Sequence, residues 1–286
     1  MDQTRTRPFK QVDVFTAEPY RGNPLAVVLD AGGLSDEQMQ RFARWTNLSE
    51  TTFLLPPRAR AADYRVRIFT PGGELPFAGH PTLGSCHAWL QGGGQPSTSD
   101  DVIVQECGVG LVRLRRSGSR LAFAAPPVRR SDPDQRTLAS LLPALGLQPG
   151  EVLAAQFLDN GPVWLSLLLD SPATVLRLAP DHGEVKRHGH KVGVAAVYQE
   201  AGDAGPHLEV RAFAAPIGVP EDPVTGSLNA SLAQWLMAEQ RLPTRYVAAQ
   251  GVQLGRAGRV HLERDSQGQV WVGGDAVTCI DGSVLL

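Results

Sequence analysis

Cysteine is scarce in this chain: its 286 residues include only Cys86, Cys107 and Cys279. These lie far apart, form no CxxC pair and make no even-numbered framework, which argues against a secreted disulfide scaffold and against a dithiol redox motif. They read as small buried apolar residues. Net charge is also lacking. Twenty-seven basic against 29 acidic residues leave −2, so no summed positive field exists to gather nucleic acid or anionic lipid. No uncharged run approaches the roughly 18 residues of a membrane span, and the basic start Met1-Asp2-Gln3-Thr4-Arg5-Thr6-Arg7-Pro8 has no apolar stretch behind it. The expectation is a soluble, cytoplasmic protein with neither nucleic acid nor membrane as partner. Several catalytic signatures are missing too: no GxGxxG follows a strand, and there is no Walker sequence, HExxH or GxSxG elbow. Redox, phosphoryl and acyl transfer lose ground.

What is present is ordinary globular composition, 42% hydrophobic and 20% charged, at a length that suggests two domains. Alternating β-branched segments at 11–15 and 25–29 flank the turn-rich stretch Glu18 to Pro24, and read as strand, loop, strand. Ser35 with Gln38 three residues on predicts a capped helix ending near Asn47. Strands at 51–55 and 64–69, a loop through Pro71-Gly72-Gly73 and a helix over 81–90 follow. Gly92 to Ser97 is a flexible loop and not a phosphate cradle, because no strand leads into it. Pro126-Pro127 and the polar residues after it mark a linker, dividing the chain into 1–128 and 129–286, with the last strand able to return to the first half.

The second half largely repeats the first. Val66-Arg67-Ile68-Phe69 recurs as Val210-Arg211-Ala212-Phe213, and Ala78-Gly79-His80 falls opposite Thr225-Gly226-Ser227. Each repeat then runs into a helix ending in Trp-Leu. Small residues on several sides, Gly84, Ser85 and Ala88 in one helix and Ala230, Ser231 and Ala233 in the other, predict two buried central helices wrapped by mostly antiparallel strands. Both helices begin at a glycine, Gly79 and Gly226. Helix starts present unpaired N–H groups with partial positive charge, and two of them facing each other would hold a carboxylate.

Duplication also exposes asymmetry. At an offset of 144, Ser49-Glu50-Thr51-Thr52-Phe53 aligns with Gly193-Val194-Ala195-Ala196-Val197, which puts Glu50 opposite an apolar position. A carboxylate in apolar surroundings is poised to take and return a proton. His80 stands opposite Ser227, and Asp222 lies just ahead of the second helix; an Asp–His pair across the domain junction would fix the imidazole tautomer. Asn23 reads as a turn residue first and a substrate contact second, Glu74 as a solvated loop charge, and the histidines between Asp181 and His190 as a surface loop with no zinc spacing.

Four motifs, Gly22-Asn23-Pro24, Ser49-Glu50-Thr51, Phe77-Ala78-Gly79-His80-Pro81-Thr82 and Asp222-Pro223-Val224-Thr225-Gly226-Ser227, together resemble the phenazine-biosynthesis PhzF-like family over essentially the whole chain. The resemblance implies an α/β (α+β), diaminopimelate epimerase-like fold of two pseudo-symmetric halves, each a curled sheet around a central helix. It implies isomerisation of a small cyclic or unsaturated carboxylate by a glutamate that shuttles a proton, with catalytic roles on Glu50, His80 and Asp222. Asn23, Ser49, Gly79, Thr225, Gly226 and Ser227 fall near the substrate; no cofactor and no metal are expected, and a homodimer is. Two-cysteine racemases of the sister branch carry thiols where this chain has Ala78 and Thr225, neither of which can serve as a thiolate base. Two rival readings are a catalytically idle relative that binds a small acid or a protein, and a tandem thioester hydrolase.

Overall fold

The computed structural model describes residues 4–98, 101–199 and 205–286. The chain divides into two compact units, Met1–Ala124 with Gly273–Leu286, and Ala125–Val272.

In the first unit, β1 (Thr6–Val14) lies between β2 (Asn23–Val28) and the C-terminal strand Ala276–Leu285, antiparallel to both. β2 pairs in parallel with β3 (Thr51–Leu55), which is antiparallel to β4 (Tyr64–Thr70). Beyond β4 come the short β5 (Gly73–Leu75) and the parallel β6 (Val102–Cys107), then the antiparallel β7 (Gly110–Ser117) and β8 (Arg120–Ala124). Helix α1 (Asp36–Thr46) starts as expected. Ser35 Oγ accepts from the Gln38 N–H, Gln38 Oε1 accepts from the Ser35 N–H, and Asn47 ends the helix in the left-handed region.

Helix α2 (Gly79–Gln91) begins two residues before the sequence expectation, because Pro81 falls in its first turn, where a missing N–H costs no helical bond. Nine of its residues are buried, and it packs against β1, β2, β3, β8 and the C-terminal strand. The sheet therefore curls around it. Close approach is set by Gly84, where a Cβ would lie 2.6 Å from Leu25 Cδ2 and 2.9 Å from Val14 Cγ2. Gly84→Val is expected to overpack this contact and cost about 1–3 kcal/mol, read as a lower urea midpoint.

The second unit repeats this plan. β9 (Arg129–Ser131), β10 (Val152–Asp159) and β11 (Val163–Leu169) are successively antiparallel, and β11 is parallel to β12 (Lys191–Val197) as β2 is to β3. β12 is antiparallel to β13 (Leu208–Ala214), which carries the short β14 (Val219–Asp222) and the parallel β15 (Arg245–Gln250). β16 (Gly258–Arg264) is antiparallel to β15. Helix α3 (Gln135–Leu145) and the short α4 (Pro172–Arg177) and α5 (His182–His188) help to enclose a Leu- and Val-rich core. Helix α6 (Gly226–Ala238) is the counterpart of α2, with ten buried residues. The histidine-rich tract is thus not a loop: Asp181 caps α5 by accepting from the Glu184 N–H, and Gly189 closes it in the left-handed region.

The repeat extends to side chains. Arg67 forms a two-pronged pair with Glu74, and Arg211 forms one with Glu221; each guanidinium also lies 5.0 Å from the ring centre of the phenylalanine two residues on. Glu74 is therefore a strand residue in an ion pair and not a loop charge. The β1–β2 link (15–22) is longer than the β10–β11 link (160–162), yet each carries a glycine whose N–H binds an aspartate, Gly22 to Asp13 and Gly161 to Asp159.

Candidate active site

In the first unit the mouth of α2 brings Glu50 and His80 together. Glu50 stands immediately before β3, after a bend that contains the half-buried Ser49, and His80 is the second residue of α2. Glu50 Oε2 and His80 Nε2 lie 3.5 Å apart, with the side chains 16% and 6% exposed. The imidazole also hydrogen-bonds the Pro24 backbone. Proline has no N–H, so its carbonyl accepts, and the nitrogen left to donate is Nδ1. In the neutral ring Nε2 then carries the lone pair and turns it toward the carboxyl group.

Burial holds the imidazole neutral, pushing its pKa down to about 3. Two lone pairs at this separation repel unless one atom holds a proton, so the pair is a natural place to keep a single proton. Unfolded His80 takes up a proton near pH 6.5, the folded ring only near 3. Between those values the unfolded state binds more protons, so this contribution to stability is complete above about 6.5 and is lost as pH falls toward 3. His80→Asn is expected to flatten that decline by up to about 1 kcal/mol per pH unit, measured by denaturant unfolding across the acid range.

Asn23 proves to be no turn residue. It is the first residue of β2, pairs with Val14 and is fully buried. The turn falls to Gly22, where a Cβ would lie 2.1 Å from the Val14 carbonyl oxygen.

The second unit holds Asp222, Thr225, Gly226 and Ser227. Asp222 ends β14, and its Oδ2 accepts from the Thr225 hydroxyl at 2.6 Å. Gln250, from β15, accepts from the Thr225 N–H and donates to the Thr225 hydroxyl and the Asp222 carbonyl. Asn229 donates to Gln250 Oε1 and to the Thr225 carbonyl. A buried amide network therefore fixes the approach to α6, much as Gln105 reaches Thr82 in the first unit. Ser227 Oγ accepts from the Trp164 indole N–H at 3.1 Å, and its carbonyl accepts from Asn160 Nδ2 at 2.9 Å.

Neither α2 nor α6 has a side-chain cap on its first turn. Gly79 and Gly226 have no positive φ, so backbone conformation does not demand glycine there.

One alignment of the halves is corrected. Thr51 pairs with Phe69, and Val192 with Phe213. Because 18 residues separate the first pair and 21 the second, the counterpart of Glu50 is Lys191 and not Val194. The link between the two strands is longer in the second half, which moves the offset by three. Counting back from the matched phenylalanines through a strand beginning at Lys191 was the available signal. Trp164, Asn160 and Gln250 carried none, since each acts through a neighbouring strand or turn.

The profile of the family described as phenazine biosynthesis-like protein, PhzC-PhzF, matches residues 12–282. The chain belongs to that family. It is 37% identical to the trans-2,3-dihydro-3-hydroxyanthranilate isomerase of Pseudomonas aeruginosa, over 96% of this chain and 98% of the relative. It is 38% identical to antisense-enhancing sequence 1 of Schizosaccharomyces pombe, over 97% and 98%. The crystal structure of the Bacillus anthracis phenazine biosynthesis protein of the PhzF family superposes with a TM-score of 0.84 at 24% identity, covering 99% of this chain and 100% of that one. With this family the chain is an isomerase, and the diaminopimelate epimerase-like fold expected from its motifs is the fold observed. No helix among the described residues is long and apolar enough to cross a membrane.

Proposed function

We propose that the chain moves a proton from one carbon to another on a small cyclic or unsaturated carboxylate, with Glu50 as the group that takes and returns it and without a cofactor. The observation that carries this reading is the Glu50–His80 pair at 3.5 Å, in which a buried neutral imidazole presents a lone pair to a carboxyl group. A proton taken by the Glu50 carboxylate can be steadied by Nε2 and handed back at a second carbon before water removes it. His80 is held for this task by the Pro24 carbonyl. Asp222 is assigned a positioning role: with Thr225 and Gln250 it sets the first turn of α6, whose open N–H groups suit a substrate carboxylate.

The compound to test first is the one named for the Pseudomonas relative, trans-2,3-dihydro-3-hydroxyanthranilate. Glu50 is 16% exposed, so its proton exchanges partly with solvent. In D2O the wild-type protein is expected to place deuterium on a ring carbon of the product, seen by NMR. An isomerised product formed equally well by Glu50→Gln would defeat the proposal.

A further inference from the structure

Asp13, on β1, is a carboxylate only 2% exposed. Its Oδ2 accepts from the Gly22 N–H at 2.9 Å, just before β2 begins. A carboxylate bound to a backbone N–H makes a strong, charge-assisted bond. Gly22 is itself pressed against β1, where a Cβ would lie 2.1 Å from the Val14 carbonyl oxygen, so the chain enters β2 closely fixed to β1.

Strand register carries this hold to His80. The Leu29 N–H donates to the Pro8 carbonyl, and hydrogen-bonded pairs alternate with non-bonded ones along an antiparallel ladder. With no register shift between β1 and β2, the bonded pairs are Lys10–Val27, Val12–Leu25 and Val14–Asn23, and Asp13–Pro24 is a non-bonded pair. The Pro24 carbonyl therefore turns away from β1, toward the side on which β3 lies. Pairing with β3 starts only at Ala26, opposite Thr51, so Pro24 stands beyond the end of that ladder. A proline costs no ladder bond at such a place, and its carbonyl is the one that accepts from His80. Gly22-Asn23-Pro24 is thus held at one end by Asp13 and in the middle by Val14, and offers its other end to the imidazole. The two influences on the acidity of the His80 ring are burial and this carbonyl, so Asp13 reaches the ring through the backbone and not through its charge.

We propose that Asp13 is a positioning residue for His80: by holding the Gly22 N–H it sets where the Pro24 carbonyl stands, which keeps the imidazole proton on Nδ1 and the Nε2 lone pair toward Glu50. This rests on the Glu50–His80 reading above and names a residue on which that pair depends.

Nitrogen-15 NMR of the histidine side chains tests the assignment, because a protonated and a bare ring nitrogen resonate far apart. The His80 signals are those lost in His80→Asn. Without substrate, the wild-type ring is expected to carry its proton on Nδ1. Asp13→Asn, which keeps an acceptor oxygen, should preserve that form. Asp13→Ala should shift the ring toward Nε2–H and lower kcat on trans-2,3-dihydro-3-hydroxyanthranilate about tenfold to hundredfold, with KM little changed. Should the alanine variant fail to fold, Asp13→Ser, whose shorter side chain leaves its oxygen short of the Gly22 N–H, must give the same shift. An Asp13→Ala ring that keeps Nδ1–H overturns the role of Asp13 and leaves the Glu50 proposal standing. Equal shifts in Asp13→Asn and Asp13→Ala overturn it too, since charge and not the held N–H would then be at work. A wild-type ring protonated on Nε2 overturns this inference together with the Glu50–His80 reading beneath it.

Discussion

Glu50→Gln is expected to lower the rate of isomerisation by about a hundredfold to ten-thousandfold, the range that a positioned acid–base group contributes. The substitution is close to isosteric, and its amide can donate to the His80 Nε2 lone pair, so packing at the mouth of α2 survives. What the amide cannot do is take a proton from carbon. The loss should therefore fall on kcat, with binding of a substrate-like acid little changed. Glu50→Asp shortens the reach by one methylene and should sit between the two, since proton transfer needs near hydrogen-bond contact. NMR of the ring protons in D2O separates these outcomes. Deuterium incorporation in Glu50→Gln at the wild-type rate would mean that another group carries the proton.

Arg211→Met is expected to destabilise the second unit by about 3–5 kcal/mol, because it leaves Glu221 buried without its countercharge. Arg211 and Glu221 are only 5% and 7% exposed, and the guanidinium also donates to the Val175 and Leu178 carbonyls at the end of α4. Two strands and a helix end hang on one side chain. The equivalent Arg67 pairs with Glu74 and Asp36, but it is 22% exposed and its partners 42% and 75%. Arg67→Met should then cost no more than about 1 kcal/mol. Equilibrium urea unfolding of both variants checks the contrast, and Arg211→Met combined with Glu221→Gln should recover much of the loss by removing the stranded charge. Equal destabilisation by Arg67→Met and Arg211→Met would show that burial does not govern the two pairs.

Much of the fold was legible in local patterns. The Ser35–Gln38 cap, the strand-loop-helix repeat and the small-residue faces of α2 and α6 depend on residues near one another in the chain, so spacing reveals them. Glu50 and His80 were legible for a different reason: each sits at an element boundary, a strand mouth and a helix start, where a polar side chain is not needed for packing. The counterpart of Glu50 was misassigned to Val194 because two halves that share strands need not share loop lengths, and a link three residues longer hid the match with Lys191. Asn23 was misread because turn-forming types cluster around Pro24, whereas ladder pairing with Val14 claims it for β2.

The sequence by itself determined the family, the duplicated architecture and the acid and imidazole proposed here to carry the proton, since all of these are written in short motifs. Only the tertiary structure decided who touches whom: that His80 turns Nε2 to Glu50, that Trp164 meets both Ser227 and Lys191, and that Arg211 is sealed while Arg67 is partly exposed. Such contacts join residues far apart in the chain through strand register, and a slip of one residue sends every side chain of a strand to the opposite face.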